Sequence, residues 1–448
     1  MTDHNDDLKP LAIEGQLPLK AVGIENLKEA NPKHMPPHRY LHPWFARRPT
    51  PASRLAVLAS LLASDTSSDE LLSLLQIGPK KDLNESLETY VEKKKATESE
   101  RSGTLGEHYG YPRPFTQSPS QTELSQLHQS LEQHWDGSLP TVLDPTAGGG
   151  VIPFESLRYG LPTKANELNP VPSIILKVLL EYAPAVGTLS GEIEEWGKKV
   201  KKHAKENLEE FYPSTNPGQV PASYVCTYSI ECPTCGCEIP LVPKWWIRNR
   251  KSAQDVVVRP KITGDEVEFQ CLVDPSDEEM AGFDPSEGPV SRGGDVECLS
   301  CGVVTESESV QPKLKQGEFE YTIYCVKFRD SDGSYGYRSP TVEDHKATEK
   351  AEQRINSDFQ ISNFLSEPIP DGKKTKEPKR YGMEEWRDLY SPRQLVAHFE
   401  YYNSLDYYKD EIYSEFDEET AEAIVVLLTL AANKMAEYNS RLASWHMG

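Results

Sequence analysis

The spacing of apolar positions changes along the chain, and each change marks an element. Leu17 to Asn26 carries a short apolar pattern, and Ala52 to Leu62 reads as a helix. Thr122 to Trp135 places Leu124, Leu127 and Leu131 at steps of three and four, the period of a helix with one buried stripe. The apolar pair Val142 and Leu143 predicts the end of a buried parallel strand, Gly148 to Gly150 a tight turn, and Ile152 to Tyr159 the helix that this turn opens. A long helix follows from Leu189 to Phe211. Its lysines (Lys198, Lys199, Lys201, Lys202, Lys205) read first as a solvated face and only second as a nucleic-acid contact. From Ser223 to about Ser339 the texture turns to β, with Val- and Tyr-rich runs broken by Gly, Asp and Pro. Helices return at Ser391-Pro392, a cap residue followed by proline at the first helical position, and in the apolar run Glu418 to Tyr438. The continuation to Gly448 carries no cap signal, so more chain, here or on another polypeptide, is expected to follow. The segments drawn from these patterns are 1–64, 65–138 (a helical and loop insertion), 139–215, 222–340 and 341–448.

The chemistry concentrates at Thr141-Val-Leu-Asp-Pro-Thr-Ala-Gly-Gly-Gly150 and at Lys164-Ala-Asn-Glu-Leu-Asn-Pro170. Glycine at 148 and 150 permits positive φ and close approach of a ligand to the backbone, while the next helix opens with unpaired N–H groups. A dinucleotide pyrophosphate asks for G-x-G-x-x-G and little else. Here Asp144-Pro145 closes the strand and Glu167 ends the next one. This pattern resembles motif I, D-P-x-x-G-x-G, of amino-group DNA methyltransferases. The charges suit S-adenosylmethionine (SAM): Asp144 faces a cationic methionine end, and Glu167 is placed to accept the ribose hydroxyls. The expected cofactor residues are Asp144, Pro145, Thr146, Ala147, Gly148, Gly150, Glu167 and Asn169. The plainer reading is an ordinary βα turn whose acids cap strands.

Composition narrows the partners. A net charge of −22 excludes a generally basic nucleic-acid coat, so any DNA contact must use local basic patches. No run of 18 apolar residues occurs, and the opening Met1-Thr-Asp-His lacks a charged-then-apolar leader, so a cytoplasmic location is expected. Eight cysteines in such a chain do not suggest a disulfide scaffold.

Four of them suggest metal. Cys232-Pro-Thr-Cys235-Gly and Cys298-Leu-Ser-Cys301-Gly are two C-x-x-C knuckles, each followed by glycine. Each knuckle offers two sulfurs to one face, so the pair predicts a tetrahedral four-thiolate zinc site of Cys232, Cys235, Cys298 and Cys301, with Cys237 competing at the first knuckle. The long gap between knuckles predicts a β insertion. Cys226, Cys271 and Cys325 read as small buried apolar residues. Pro243-Lys-Trp-Trp-Ile-Arg-Asn-Arg-Lys251 interleaves rings with cations, which fits base stacking and phosphate contact as well as it fits a strand with alternate Trp packed inward. Asp371 to Arg380 is a second basic patch, read as a loop.

Between Pro37 and Arg54 lie three aromatics, two histidines and four arginines. Core packing accounts for the rings taken alone. The run His42-Pro-Trp-Phe-Ala-Arg-Arg-Pro49 before a helix nevertheless resembles the His-Pro segment, motif X, that amino methyltransferases place beside motif I. With Val142-Leu-Asp-Pro-Thr-Ala-Gly-Gly-Gly150, Glu167-Leu-Asn-Pro170, the paired knuckles and Tyr381-Gly-Met-Glu-Glu-Trp-Arg-Asp-Leu-Tyr-Ser-Pro-Arg-Gln-Leu395, it resembles large adenine-specific DNA methyltransferases with an internal zinc ribbon, some of them found in anti-phage gene clusters. That resemblance implies an α/β chain: a Rossmann-like SAM-dependent methyltransferase core with helical insertions and a β-rich zinc-ribbon domain. It implies methyl transfer to the exocyclic amine of adenine in DNA, in restriction-modification or phage defence. One departure matters. The D/N/S-P-P-Y/F/W loop that binds the target amine and stacks on the extruded base is missing, since the only Pro-Pro stands in Met35-Pro-Pro-His38. No catalytic residue is therefore assigned, and a second polypeptide is expected to carry the catalytic half. The alternative is a DNA-binding or scaffold subunit that keeps the fold without the chemistry; a small-molecule methyltransferase leaves the zinc ribbon unexplained.

Overall fold

Helices form where the three-and-four spacing places them, in a computed structural model that describes residues 9–30, 35–44, 47–78, 112–215, 218–249, 254–443 and 445, with Ser86, Glu88, Thr89 and Glu92. Most of the 65–138 insertion up to residue 111, the Phe45-Ala46 pair and Arg250 to Ala253 lie outside the described residues. The chain is mixed α/β, with helices and several small sheets. It divides into two compact units, residues 1–195 with 409–431 and residues 196–408 with 432–448, a division that cuts across the sequence-drawn segments 139–215 and 341–448.

The first unit is built on helices α1 (Leu19–Glu29), α2 (Thr50–Ala59), α3 (Ser68–Leu74) and α4 (Gln121–His134). Helix α4 begins at a capping box: the Ser120 hydroxyl accepts the Glu123 amide, and the Glu123 carboxylate accepts the Ser120 amide. Its stripe of Leu127 and Leu131 joins Leu58, Leu71, Leu75, Tyr159 and Leu161 in one apolar core. A buried ion pair braces this core, with Arg54 against Glu155 and Arg158 also bound to Glu155 at 3.3 Å. Removing either member of a buried pair strands a charge, which costs about 3–5 kcal/mol.

Against this core lies strand β1 (Val142–Asp144), then α5 (Val151–Arg158), strand β2 (Thr163–Ala165) and α6 (Pro170–Lys177). The strands pair in parallel, Val142 with Thr163 and Asp144 with Ala165, as the βαβ reading requires. The expectation that β1 is buried on both sides is corrected. Val142 packs on the core, but Leu143 is 64 % exposed, because no other described strand or helix covers that face. Parallel strands are ordinarily covered on both faces.

In the second unit helix α7 (Ser190–Leu208) buries Trp196, Val200 and Ala204, one residue per turn, and turns its lysines outward. Lys199 lies 3.6 Å from the centre of the Trp196 ring. Two antiparallel sheets follow. One runs β11-β10-β3-β4, from β3 (Val220–Glu231), β4 (Glu238–Pro240), β10 (Glu320–Arg329) and β11 (Tyr335–Arg338). The other, β5 (Trp246–Arg248), β6 (Val256–Thr263) and β7 (Glu266–Val273), is the β insertion expected between the knuckles. Trp245 and Ile247 are buried and Trp246 is half-buried, so the first Trp belongs to the core with Phe269, Val256 and Val258. The last helices, Pro392–Glu415 and Glu418–Tyr438, each carry residues of both units, and the first is capped by Ser391, whose amide donates to the Gln394 side chain at 2.9 Å.

Candidate metal centre and glycine turn

Each cysteine knuckle is the tip of an antiparallel hairpin. In the first, the pair Glu231 and Glu238 closes β3 and β4. In the second, β8 (Val296–Glu297) meets β9 (Val304–Thr305) through Glu297 and Val304. The two tips repeat one hydrogen-bond pattern. The Cys232 amide donates to the Cys237 carbonyl and the Cys298 amide to the Val303 carbonyl, both at 2.9 Å. The Gly236 amide donates to the Cys232 carbonyl at 3.0 Å and the Gly302 amide to the Cys298 carbonyl at 2.9 Å. Gly236 at φ +78° and Gly302 at φ +70° supply the left-handed residue that turns the chain back after the second cysteine.

These turns aim four sulfurs at one point. The Cys232 and Cys301 sulfurs are 3.7 Å apart, those of Cys235 and Cys298 3.6 Å, and all four lie within 4.8 Å of one another. Zinc–sulfur bonds of about 2.3 Å in a tetrahedron put the sulfurs about 3.8 Å apart. The set therefore fits a tetrahedral metal ion such as zinc, joining residues 69 and 63 positions apart in the chain. Cys232 and Cys298 are buried and Cys301 is exposed. Burial raises the Cys232 thiol, but the backbone amides of Cys235 and Thr234 outweigh it and bring it down to about 6. Cys237 stands outside the set. It donates its S–H to the Glu238 carbonyl at 3.5 Å, and burial together with the neighbouring thiols pushes it up to about 11. Of the three cysteines read as buried apolar residues, Cys325 is fully buried, while Cys226 and Cys271 are half-buried, with the Cys271 sulfur 3.7 Å from that of Cys325. Burial lifts the Cys226 thiol to about 11.

The glycine turn is held differently. The Asn166 amide donates to the Asp144 carbonyl at 2.9 Å, the Ala147 amide to the Asn166 carbonyl at 3.0 Å, and the Asn166 side chain to the Pro145 carbonyl at 3.2 Å. The Asp144 carboxylate accepts the exposed Thr146 amide at 3.2 Å. Gly148 and Gly150 have φ of +53° and +77°, as a tight turn demands. A Cβ on Gly150 would stand 2.7 Å from the end of the Leu176 side chain on α6, which would have to move aside. Glu167 crosses to the turn: one oxygen accepts the Gly148 amide at 2.7 Å, the other the Leu168 and Asn169 amides at 2.9 and 3.0 Å. Those amides hold its carboxyl below its usual value, Asn169 first and Gly148 next. Asn169 caps α6, its side chain accepting the Val171 amide at 3.0 Å ahead of Pro170 at the first helical position.

The segment beginning at His42 meets this turn. A Cβ on Gly149 would lie 3.2 Å from the Trp44 ring and 3.7 Å from Arg47, and one on Gly148 would lie 3.4 Å from Trp44. His38, upstream of that segment, packs its ring at 5.4 Å and tilted against Phe154 of α5. Burial and the cations Arg39, Arg47 and Arg158 lower its pKa to about 4. The sequence did not single out Asn166, whose side chain and backbone tie the two strand ends together; its place just after the second strand was the available signal.

A family model described as a protein of unknown function, DUF1156, matches residues 16–101, a span that contains the His42 to Pro49 segment and neither the glycine turn nor the cysteines. No curated protein and no solved structure matches the chain. Among the described residues no single helix is long and apolar enough to cross a membrane.

Proposed function

We propose that this chain is the SAM-binding portion of a DNA adenine methyltransferase of the zinc-ribbon type, acting with a second polypeptide that carries the target-amine loop. The observation that carries the reading is a convergence. The positive-φ turn Gly148–Gly150, the carboxylate Glu167 and Trp44 of the His-Pro segment are separated by many residues, yet they meet at one turn. A βαβ turn with an acid at the end of its second strand is the Rossmann-like arrangement that seats SAM. SAM would supply an electrophilic methyl group. This chain's residues would hold it: Asp144 near the cationic methionine end, the glycines leaving room at the backbone, and Glu167 toward the ribose. Three of the roughly four acceptor positions of a carboxylate are already filled on Glu167. One ribose hydroxyl can be received directly, and the second requires release of a backbone amide.

The four-thiolate centre is proposed to hold structural zinc, since all four positions go to protein sulfur and none remains for a substrate. The exposed Leu143 on β1 and the 96 % exposed Leu168 in the loop after β2 support a partner that completes the sheet. Titration calorimetry with SAM and with its demethylated product tests the reading. Binding is expected, and Glu167→Ala should weaken it by roughly 1.5–3 kcal/mol as a charge-assisted contact is lost. Failure to bind either compound, with binding of a nicotinamide dinucleotide instead, would overturn it.

A further inference from the structure

The β10–β11 hairpin of the second unit carries a surface that the metal centre does not explain. Its register pairs Lys327 with Tyr337 and Arg329 with Tyr335, so a row of two cations on β10 faces a row of two rings on β11 on one side of the hairpin. Lys327 Nζ lies 4.5 Å from the centre of the Tyr335 ring and 6.0 Å from that of Tyr337. Arg248 of β5 adds its guanidinium 5.3 Å from the Tyr337 ring. Trp445 completes the row, edge-on to Tyr337 at 6.5 Å and anchored by its indole N–H on the Ile247 carbonyl at 2.9 Å.

The cations on this face meet rings and one carbonyl, the Arg248 Nε–H donating to the Gln254 carbonyl at 2.6 Å. Among the described residues no carboxylate lies within ion-pair reach of Arg248, Lys327 or Arg329. On the opposite face Arg338 is spent on Asp344, at 2.6 and 3.0 Å. The acids of the hairpin turn point into the turn, Asp330 accepting the Ser331 amide and Asp332 the Ser334 amide, both at 2.8 Å. In a chain of net charge −22, three cations gathered on one small face make a local basic patch. Tyr335 is 54 % exposed, so its ring is open to stacking.

We propose that this face binds an unpaired DNA strand, its bases stacking on Tyr335 and Tyr337 and its phosphates meeting Arg248, Lys327 and Arg329. A row of rings beside a row of cations matches the bases and the phosphate backbone of a single strand, whereas a duplex hides its base faces and an acidic peptide offers nothing to stack. The choice of DNA over RNA rests on the methyltransferase reading; the surface itself does not.

The test is fluorescence anisotropy of the full chain, zinc-loaded, with labelled oligo-dT of about 16 nucleotides, long enough for one such platform. Tyr335→Ala should weaken binding about tenfold, and Arg329→Glu at least as much. Both positions are exposed, and circular dichroism confirms that the variants fold. Three phosphate contacts predict a log–log salt slope of about −2. Unchanged affinity in both variants, tighter binding to the matching duplex or to oligo-U, or equal competition by polyglutamate would each overturn the proposal. A SAM titration on the same sample separates the two readings: SAM binding without DNA binding refutes this surface alone, and DNA binding without SAM binding refutes the cofactor site alone.

Discussion

The cysteine centre and the glycine turn are both built on backbone turns with left-handed glycines, yet one is a closed set and the other an open one. At the centre two hairpins with the same hydrogen bonds present four sulfurs at tetrahedral spacing, and nothing further is needed to hold an ion. At the turn, among the described residues, two three-residue strands pair only with each other, and Leu143 and Leu168 are exposed. A metal site is finished once its donors converge. A cofactor site also needs walls, and a two-stranded parallel sheet supplies few. The difference teaches that the second unit carries a complete set of metal donors, while a cofactor at the turn, as proposed, would need walls beyond these two strands.

The largest expected effect is at the centre. Metal analysis should give close to one zinc per chain, and Cys298→Ser should lose it and loosen the β sheets, because structural zinc contributes about 10 kcal/mol or more to such sites. Cys237→Ser should keep the metal. Zinc retained in Cys298→Ser but lost in Cys237→Ser would exchange their roles. SAM binding should survive Cys298→Ser, and its loss would mean that the two sites are not separable as this comparison requires.

Next in size is catalysis. Adenine's exocyclic amine is a weak nucleophile, so a methyl donor nearby is insufficient without acceptors for its protons and a ring for the extruded base. Tritiated-methyl transfer to DNA should stay at background with this chain and appear when a polypeptide bearing D/N-P-P-Y/F is added. Robust transfer by the chain alone would show the turn to be more complete than its two strands suggest.

How much of this was legible in the sequence depends on how local the determining physics is. Caps and apolar periods are local, so Gln121–His134, Ser190–Leu208, Pro392–Glu415 and Glu418–Tyr438 stand close to where the pattern put them. The knuckles were legible because C-x-x-C followed by glycine encodes its own turn; that Cys237 bonds a carbonyl instead of joining the set needed coordinates. Strand burial was not legible. Val142 and Leu143 are equally apolar, and only the count of neighbouring strands decides which one meets water. The β10–β11 face was missed for a related reason. Lys327-x-Arg329 and Tyr335-x-Tyr337 do show a period of two, but their union depends on hairpin register.

A smaller effect sharpens the same contrast between the glycines. Gly150→Ala meets both positive φ and Leu176 at 2.7 Å, whereas a Cβ on Gly302 has nothing within 4 Å. Gly302→Ala should therefore cost only the left-handed backbone, about 1–2 kcal/mol, and Gly150→Ala more than that. Chemical denaturation of the two variants measures the gap. Equal losses would mean that α6 yields easily and that the turn is looser than it looks.

An effect confined to acid pH belongs to His38, beside the helix that the glycine turn opens. Its pKa is lowered to about 4 by burial and by Arg39, Arg47 and Arg158, against about 6.5 when unfolded. Between these values the unfolded chain binds more protons than the folded one, so stability rises with pH across the window and is lost as pH falls from about 6.5 to 4. Above 6.5 both states are neutral and the contribution is flat. His38→Gln removes the titration, so the difference in melting temperature between wild type and variant should shrink or reverse as the buffer is taken from pH 7 to pH 4.5. Subtracting the variant cancels acid loss of metal at the cysteine centre, which both proteins share. A difference that stays constant over that range would place His38 in water and not against Phe154.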